Sequence, residues 1–220
     1  GIIVLEPDSA TPGDDAISLL GLDDQTLDLE VNPDRGYAWS LRGVARDTAL
    51  AFGVDFTDPA ELESPSTSTA AYPVRVDDPA ACPVFTTLVV TGIDPTASTP
   101  QWMAKRITDA GMRPISLTVD VSNYVMLELG QPNHCYDRAK LSGDIVVRRA
   151  TVGEKITTLD ETVRKLTTED LVIADDRGPI GIAGVMGGGS VEIDSTSTDV
   201  VIEAAHFDPV TIFRAQKRHR

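Results

Sequence analysis

Residues 119–137 have the sequence V-D-V-S-N-Y-V-M-L-E-L-G-Q-P-N-H-C-Y-D, in which polar side chains stand among valine, tyrosine, methionine and leucine. The apolar residues are numerous enough for the stretch to be buried. Its polar residues include Asp120, Asn123, Glu128, Gln131, His134 and Asp137. Because a buried polar group without a partner costs roughly 1–3 kcal/mol, these side chains must be hydrogen-bonded or used in function. The Gly130-Gln131-Pro132 turn predicts that His134 lies at a bend facing a cleft, so the stretch indicates a functional site.

The composition is that of a soluble globular protein. The chain has 220 residues, of which 41% are hydrophobic and 24% charged. A net charge of −15 argues against a nonspecific nucleic-acid binder, since phosphate contacts need a basic face. It still allows a module that contacts only the end of an RNA. No apolar run approaches the roughly 20 residues of a membrane span and no signal peptide opens the chain, so we predict a cytoplasmic protein without a membrane partner.

The cysteines and histidines do not predict a metal site. Cys82 and Cys135 match no metal-binding spacing and are interpreted as reduced, buried thiols. The histidines, at positions 134, 206 and 219, and the scattered acids show no ligand spacing either.

The N-terminal region combines one strand pattern with one helix pattern. Alternating apolar residues predict a strand at 26–31. Ser40 is expected to cap a helix that ends near Gly53. The sequence then turns to proline, serine, threonine and acids without periodicity, which is typical of a linker. We therefore predict a partial N-terminal-type domain at 1–57, a linker at 58–73 and a larger domain at 74–220.

The larger domain is predicted to be rich in strands. A helix is expected to begin at Thr99-Pro100, and another at Asp208-Pro209. The apolar half of the opening stretch predicts a strand at 117–121 followed by a short helix at 124–129. The remaining patterns predict strands at 74–76, 84–92, 145–149 and 200–205, and hairpins about 160–161 and 175–179. Because strands dominate and the helices are segregated, the predicted fold class is α+β with mixed or antiparallel sheets.

His134 and Glu203 are the leading candidates for chemistry. A histidine can act as a general base or orient water, but a core histidine bonded to a backbone carbonyl would look the same in the sequence. Glu203 interrupts an apolar strand, which indicates an acceptor for a ligand hydroxyl or amine, an ion pair, or an outward side chain on an edge strand. Cys135 adjoins His134, yet neighbours in sequence point in different directions, which argues against a Cys–His dyad.

A glycine-rich segment at 181–190 is the third candidate. It has neither the lysine of a P-loop nor the spacing of a dinucleotide fingerprint. Its glycines would let backbone N–H groups approach a ligand, although a flexible loop has the same composition. Arg113 and Thr118 flank the start of the opening stretch, and they count as surface residues unless they converge on His134.

Several segments resemble one family in the same order along the chain. The pattern at 119–134 resembles the signature of the editing module, or B3/B4 domain, in the β subunit of bacterial phenylalanyl-tRNA synthetase. I-A-G-V-M-G-G at 182–188 and V-I-E-A-A-H-F-D-P at 201–209 fit the same family. Matching segments also occur at 32–35, 40–46 and 100–103. The resemblance spans nearly the whole chain.

The resemblance implies a fragment of a longer subunit with the fold of that editing module. The intact β subunit works with a catalytic α subunit in an α2β2 enzyme, which joins phenylalanine to its tRNA using ATP and magnesium. The fragment itself is expected to hold no cofactor. Its implied activity is hydrolysis of tyrosine wrongly attached to tRNA(Phe). An apolar pocket rejects an added hydroxyl by only roughly 100-fold, whereas a site that hydrogen-bonds the hydroxyl discriminates by about 10⁴–10⁵.

The resemblance also assigns roles to individual residues. Glu203, with the backbone at Gly187, matches the position that accepts the tyrosine hydroxyl, and His134 matches the position near the scissile ester. Positions expected to contact the rest of the substrate or the 3′ end of the tRNA are Asn123, Thr118, Arg113 and Gly184. No serine or cysteine nucleophile is expected, because the ester is activated and a positioned water suffices.

The sequence departs from the family pattern in two respects. Asn133, Cys135 and Tyr136 stand where the family often has an apolar residue, a small residue and phenylalanine. The segment that follows position 220 in the family contributes a threonine and small residues to the pocket wall, so we expect this chain to lack part of that wall. Two alternatives remain open: a structural and tRNA-docking module of the synthetase, and a stand-alone trans-editing protein.

Overall fold

The computed structural model describes residues 2–5, 8–62 and 71–220. Its helices are α1 (Ala16–Leu19), α2 (Leu41–Phe52), α3 (Gln101–Asp109), α4 (Leu117–Leu129) and α5 (Pro209–Arg218), with 3₁₀ turns at Gly36–Trp39, Arg138–Lys140 and Gly189–Val191. Its strands are β1 (Val74–Val76), β2 (Val84–Val90), β3 (Asn133–Asp137), β4 (Ile145–Arg149), β5 (Lys155–Thr157), β6 (Val163–Lys165), β7 (Leu171–Asp175), β8 (Gly178–Ile182), β9 (Met186–Gly187) and β10 (Val200–His206).

The strands form three sheets in the described part of the chain. The largest has the order β1-β4-β7-β8-β9; β1 pairs with β4 in parallel and the other pairs are antiparallel. The second has the order β2-β10-β3 and is antiparallel throughout. The third is the β5-β6 hairpin. The predicted α+β class with mixed and antiparallel sheets is therefore confirmed.

The main core contains residues of both larger sheets. Tyr136 and Val201 come from the three-stranded sheet, and Ile145, Leu171 and Ile180 come from the five-stranded sheet. All five side chains are at most 2% exposed. Because their burial removes large apolar surfaces from water, this cluster is a principal source of stability. It also holds one face of β3 and β10 against the β8–β9 hairpin.

Helix α4 corrects the prediction of a strand at 117–121. The whole range Leu117–Leu129 is helical, and Gly130 ends it in the left-handed region at φ 76°. Asp120 lies in the first turn, where its carboxylate accepts hydrogen bonds from the Ile115 N–H at 2.8 Å and the Thr99 hydroxyl at 2.5 Å. An acid at this position favours a helix N-terminus. These contacts override the strand propensity of the β-branched residues nearby.

The strand predicted at 26–31 is also wrong. Those residues form neither helix nor strand, since no other described segment pairs with them. An alternating pattern without a neighbouring strand has no partners for its backbone hydrogen bonds. The linker predicted at 58–73 lies partly outside the described residues, because 63–70 are not among them. The predicted division into 1–57, 58–73 and 74–220 stays a prediction.

The local signals for the ends of α2 and the start of α5 are confirmed, whereas Thr99 does not cap α3, because Pro100 is the N-cap and the Thr99 hydroxyl donates to Asp120. Ser40 caps α2 by accepting a hydrogen bond from the Gly43 N–H at 3.1 Å, and Gly53 ends that helix at φ 63°. Asp208 caps α5 by accepting from the Thr211 N–H at 2.7 Å. Strands predicted near 74, 84, 145 and 200 and both predicted hairpins are present. None of the described helices has both the length and the apolar character needed to cross a lipid bilayer.

Candidate functional site

Strands β3 and β10 bring His134 and Glu203 side by side. The two residues are direct partners in the antiparallel register, and Tyr136 pairs in the same way with Val201. Since alternate residues of a strand share a face, His134 and Tyr136 project on the same side of the sheet. Their rings meet edge to face with centroids 4.8 Å apart. The prediction that His134 lies at a bend is wrong, because the preceding turn leads directly into β3 and the register with β10 determines where His134 points.

This face of the sheet forms the wall of a cavity of about 300 Å³, which we call the Glu203 cavity. The opposite wall comes from the β8–β9 hairpin with Gly184 and Gly187. Apolar side chains close the remaining sides, among them Ile173, Val185, Met186 and Phe207. A mostly apolar cavity with a few convergent polar groups is the usual form of a small-molecule site.

Glu203 is the acidic group of this cavity. It is 8% exposed, and its Oε2 accepts a hydrogen bond of 2.5 Å from the Tyr136 hydroxyl. Burial raises the pKa of Glu203 to about 7, although the hydrogen bond from Tyr136 acts in the opposite direction. No ion pair to Glu203 is found in the described part of the chain. The interpretations of an ion pair and of an outward side chain are therefore wrong, and the hydrogen-bond acceptor remains.

The imidazole of His134 is enclosed without a hydrogen-bond partner at Nε2. Burial lowers the pKa of His134, so the ring is neutral at pH 7. Gly187 lies against it: a Cβ added to Gly187 would be 2.8 Å from Cε1 and 2.9 Å from Nε2 of the ring. Only glycine leaves room for the imidazole here. The other ring nitrogen, Nδ1, is not among the enclosed unpaired atoms of the described residues, and a neutral imidazole is able to accept a proton from a water molecule or a hydroxyl at a nitrogen that it reaches.

A second cavity of about 400 Å³, the Asn123 cavity, lies on the other side of His134. Its wall includes Thr118 and Asn123 from α4 and the segment 192–195. Asn133 and His134 line both cavities. The imidazole therefore stands at the junction between the cavity of Glu203 and a second cavity lined by hydroxyl and amide groups together with the acids Asp94, Glu192 and Asp194.

The polar residues of the opening stretch divide into two groups. Four are hydrogen-bonded to protein groups, namely Asp120, Glu128, Gln131 and Asp137. Asn123 and His134 make no hydrogen bond through their side chains in the described part of the molecule. Because satisfied groups need no ligand, the two unpartnered groups, which line cavities, are the ones that point to function.

Comparison with known proteins gives the family. A family model for the B3/4 domain matches residues 81–220. The chain belongs to the B3/4 domain family. It is 57% identical, over its whole length, to the phenylalanine–tRNA ligase β subunit of Streptomyces avermitilis, of which it covers 27%. It is 56% identical over its whole length to the same subunit of Thermobifida fusca, with 26% covered. These matches confirm the resemblance found in the sequence motifs.

The chain spans about a quarter of the length of these relatives. Among solved structures, an N-terminal fragment of the phenylalanyl-tRNA synthetase β subunit from Pyrococcus horikoshii is 14% identical with a TM-score of 0.48. The alignment covers 82% of this chain and 55% of that one.

Of two further residues assigned by resemblance, Arg113 lies outside both cavities of this B3/4 domain, whereas Gly184 lines one of them. Arg113 is exposed and lines neither cavity, although Ile115, two residues later, lines the Asn123 cavity. Gly184 lines the Glu203 cavity and adopts φ 65° in the β8–β9 turn, with Ile212 of α5 at 3.2 Å from an added Cβ. Gly184 therefore forms both the turn beside α5 and part of the cavity wall.

The cysteines of the B3/4 domain are free and buried, as predicted. Burial, followed by the charge of Glu203, raises the thiol pKa values of Cys82 and Cys135 to about 11. Neither is a thiolate at neutral pH, so neither is an activated nucleophile. Among the described residues, no three histidine, cysteine or acidic side chains cluster as metal ligands.

Tyr136 is the site residue that sequence reasoning missed. The sequence presented it only as a replacement for phenylalanine, whereas its hydroxyl is the hydrogen-bond partner of Glu203. Its position two residues after His134 would have placed it on the same face, had β3 been recognised as a strand. No sequence signal indicated the segment 192–195 as a cavity wall, because it reaches the site through tertiary packing.

Proposed function

We propose that this B3/4 domain hydrolyses tyrosine wrongly attached to tRNA(Phe), as part of a phenylalanine–tRNA ligase β subunit. The observation that carries the proposal is the position of His134 at the junction of the two cavities. An aminoacyl-tRNA has an ester bond between an amino acid and a nucleotide, so a hydrolytic site needs two adjacent compartments with a proton acceptor between them.

The two cavities suit the two parts of this substrate. The amino acid would enter the Glu203 cavity, whose walls are mostly apolar and which has an acidic group at its sheet face. The 3′-terminal nucleotide would occupy the Asn123 cavity, where Thr118 and Asn123 offer a hydroxyl and an amide. The ester then lies beside the imidazole of His134.

Glu203 supplies the selection against phenylalanine. A tyrosine hydroxyl can donate a hydrogen bond to this carboxylate, whereas phenylalanine would displace water and leave the acceptor without a replacement donor. Sites that hydrogen-bond a substrate hydroxyl discriminate by about 10⁴–10⁵ against the analogue that lacks it. The contact between Tyr136 and Glu203 is an internal example of the same interaction, since it joins a phenol to this acid.

Hydrolysis requires only a water molecule and the residues already described. The oxygen of the water molecule attacks the ester carbonyl carbon, while neutral His134 accepts a proton from that water. The bond from that carbon to the ribose oxygen then breaks, and the imidazolium returns the proton to the leaving hydroxyl. Tyrosine is released as the carboxylic acid, which loses its remaining proton to the solvent. With both thiols protonated, attack by water is favoured over a covalent enzyme intermediate.

The remaining partners follow from the names of the relatives, which are ligase β subunits. We infer an α subunit as protein partner in an α2β2 assembly, and a cytoplasmic location. ATP and magnesium belong to aminoacylation in the intact enzyme, and hydrolysis at this site uses neither.

Deacylation of tyrosyl-tRNA(Phe) by the intact enzyme tests the proposal. His134→Ala removes the proton acceptor and should slow hydrolysis by about 10²–10⁴-fold, the range typical of general-base loss. Glu203→Ala should slow hydrolysis of the tyrosyl ester by about 100-fold or more through loss of the acceptor. The matched control is His206→Ala, because His206 is exposed at the end of β10 and lines neither cavity.

The alternatives predict other outcomes. A structural and tRNA-docking module would show wild-type deacylation in both site variants but weaker tRNA binding. The convergence of Glu203, Gly187 and His134 on one cavity favours editing over that alternative. A stand-alone trans-editing protein would deacylate without the α subunit. Unchanged hydrolysis in both His134→Ala and Glu203→Ala would overturn the assignment of the site.

A further inference from the structure

Tyr136 and Glu203 form a buried phenol–carboxylate pair between two strands. The Tyr136 side chain on β3 is 1% exposed, and Glu203 on β10 is 8% exposed. The hydroxyl donates to Oε2 over 2.5 Å. This is a charge-assisted geometry when the acid is ionised, and such hydrogen bonds are both shorter and stronger than neutral ones.

The pair engages only one oxygen of the acid. In the described part of the molecule, Oε1 of Glu203 has no hydrogen-bond partner, and it is not among the fully enclosed unpaired atoms. It therefore retains accessible surface, and Glu203 lines the cavity. A carboxylate accepts through both oxygens, so Oε1 remains available for a ligand donor.

The other titratable groups near Glu203 do not change charge around neutral pH. Burial keeps His134 neutral by lowering its pKa. Burial and the charge of Glu203 raise the pKa values of Cys82 and Cys135 to about 11. The same causes raise the pKa of Tyr136 well above its ordinary value. Within this group, Glu203 is the one that titrates between pH 6 and pH 8.

We propose that Tyr136 is a positioning residue for this site: its hydroxyl holds Oε2 of Glu203, so that Oε1 faces the cavity as an ionised acceptor for a phenol hydroxyl. The inference deepens the proposed function and rests on it, since the phenol is that of the misattached tyrosine. Tyr136 lines the same cavity, but its hydroxyl is engaged by Glu203, so it acts on the substrate through that acid. It selects the charged form of the acid and restricts the directions in which the free oxygen points.

Removal of the Tyr136 hydroxyl should change how the site depends on pH. Burial raises the pKa of Glu203 to about 7 while the hydrogen bond from Tyr136 lowers it. Without that hydrogen bond the pKa rises further, so a smaller fraction of Glu203 is ionised at neutral pH. The rising limb of tyrosyl-tRNA hydrolysis against pH should then move upward by about one unit.

The test compares wild type and Tyr136→Phe in the intact enzyme. The phenyl ring keeps the packing of the core and loses only the hydroxyl. We expect kcat/KM for tyrosyl-tRNA(Phe) to fall roughly fivefold at pH 7 and to approach the wild-type value by about pH 8.5, as the ionised fraction recovers. Tyr72→Phe is the matched control, because the Tyr72 hydroxyl donates to the Gly143 carbonyl and lines neither cavity.

A second variant tests whether Tyr136 acts through the charge of Glu203. Glu203→Gln keeps an oxygen acceptor that does not titrate, so the rising limb should disappear. Adding Tyr136→Phe to Glu203→Gln should then leave the pH profile flat, because a coupled pair is not additive. A purely structural role of Tyr136 would instead lower kcat/KM by the same factor at every pH and in both backgrounds, which would overturn the inference.

Binding of a tyrosyl analogue separates this inference from the proposed function. The probe is the tRNA 3′-terminal nucleoside with tyrosine attached through an amide, which is not hydrolysed, and the phenylalanyl amide is its control. Weaker binding of the tyrosyl probe to Tyr136→Phe at pH 7, with recovery at pH 8.5, supports the inference even if wild type has no hydrolytic activity. Wild-type hydrolysis with an unchanged Tyr136→Phe profile overturns the inference alone. A wild-type enzyme that neither hydrolyses nor binds overturns both.

Discussion

Two buried acids in this molecule have opposite surroundings. Glu203 lies in the Glu203 cavity, and Asp170 lies in a cluster beneath α5 that we call the C-terminal cluster: Thr167, Asp170, Arg218 and His219. Asp170 is completely buried. It accepts hydrogen bonds from the Thr167 N–H at 2.8 Å, the Thr167 hydroxyl at 3.2 Å and the Arg218 guanidinium, and its Oδ2 lies 3.0 Å from His219 Nε2. Glu203 has one such partner, Tyr136.

The pKa values of the two acids respond accordingly. Burial by itself would raise the pKa of Asp170, yet hydrogen bonds from Thr167 and His219 and the charge of Arg218 lower it overall. At Glu203 burial prevails, and the pKa rises to about 7. A fully partnered buried acid is costly to disrupt, because its removal leaves buried partners unpaired, whereas a buried acid with a free oxygen beside a cavity lowers stability and is available to a ligand.

The largest expected effect comes from the C-terminal cluster. Asp170→Asn removes the charge that contacts buried His219 and the Arg218 guanidinium, and it should lower the free energy of unfolding by about 3–5 kcal/mol at pH 7. Urea denaturation measures this loss, with exposed Asp28→Asn as control. Because the pKa of Asp170 is lowered on folding, its contribution is present above the ordinary value of 3.8 and is lost as the pH falls further. The difference between variant and wild type should therefore close in acid.

If instead Asp170→Asn were as stable as wild type at pH 7, the partners would not compensate the burial of this acid. The claim that Asp170 belongs to a stabilising cluster, in contrast to Glu203, would then be wrong.

Glu203→Gln should raise the free energy of unfolding at neutral pH, which is the opposite of the effect expected for Asp170→Asn. The folded state raises the pKa from 4.5 to about 7, so it holds this proton more tightly than the unfolded chain does. The free energy of unfolding therefore falls as the pH rises from 4.5 to about 7 and beyond, by about 3 kcal/mol in total. Because glutamine does not ionise, the variant should not lose stability over this pH range. It should match wild type near pH 4 and be more stable above pH 7. Denaturation curves recorded from pH 4 to pH 8 give the measurement.

If the stability of wild type and of Glu203→Gln depended on pH in the same way, Glu203 would ionise in the folded protein without a cost in stability. That result would remove the reason for regarding this acid as held for a ligand.

Gly187→Ala should have the smallest of the three effects on stability. The new Cβ would be 2.8 Å from His134 Cε1 and 3.1 Å from Leu159 Cδ1, so the ring must move. We expect a loss of about 1–2 kcal/mol in stability from overpacking. Misplacing the imidazole should also slow tyrosyl-tRNA hydrolysis by about 10²-fold.

The control for this variant is Gly189→Ala, whose Cβ would meet only the Thr158 carbonyl oxygen at 3.8 Å and the Thr157 carbonyl oxygen at 3.9 Å. Equal losses of hydrolysis in the two alanine variants would show that any added side chain in the segment 187–189 impairs the site, and that the space beside His134 has no particular role.

Much of the local structure followed from the sequence because its causes are local. A serine or aspartate that caps a helix, and a glycine that ends one, act within three or four residues, as at Ser40, Gly53 and Asp208. The errors came where distant groups decide. Residues 117–121 have a strand composition, yet Thr99 and Ile115 hold Asp120 at the start of a helix. Residues 26–31 alternate like a strand, yet no strand pairs with them.

For the candidate site, too, the sequence indicated some residues that the structure brings together, and others only the structure could place. Sequence motifs pointed to His134, Glu203 and Gly187, and these residues do line one cavity. They also pointed to Arg113, which lies outside both cavities, and they gave no role to Tyr136. A motif records which side chains accompany a chemistry, but it does not report their directions or their hydrogen-bond partners.

The sequence by itself therefore determined the fold class, the caps and hairpins, the family and the identity of the acid and the imidazole. The tertiary structure decided which of their atoms are free. Glu203 meets its partner across 67 positions of the chain, and the glycine that makes room for His134 comes from another sheet. A polar atom is left for a ligand only when no neighbour in space satisfies it, and these neighbours are brought together by packing of the two sheets.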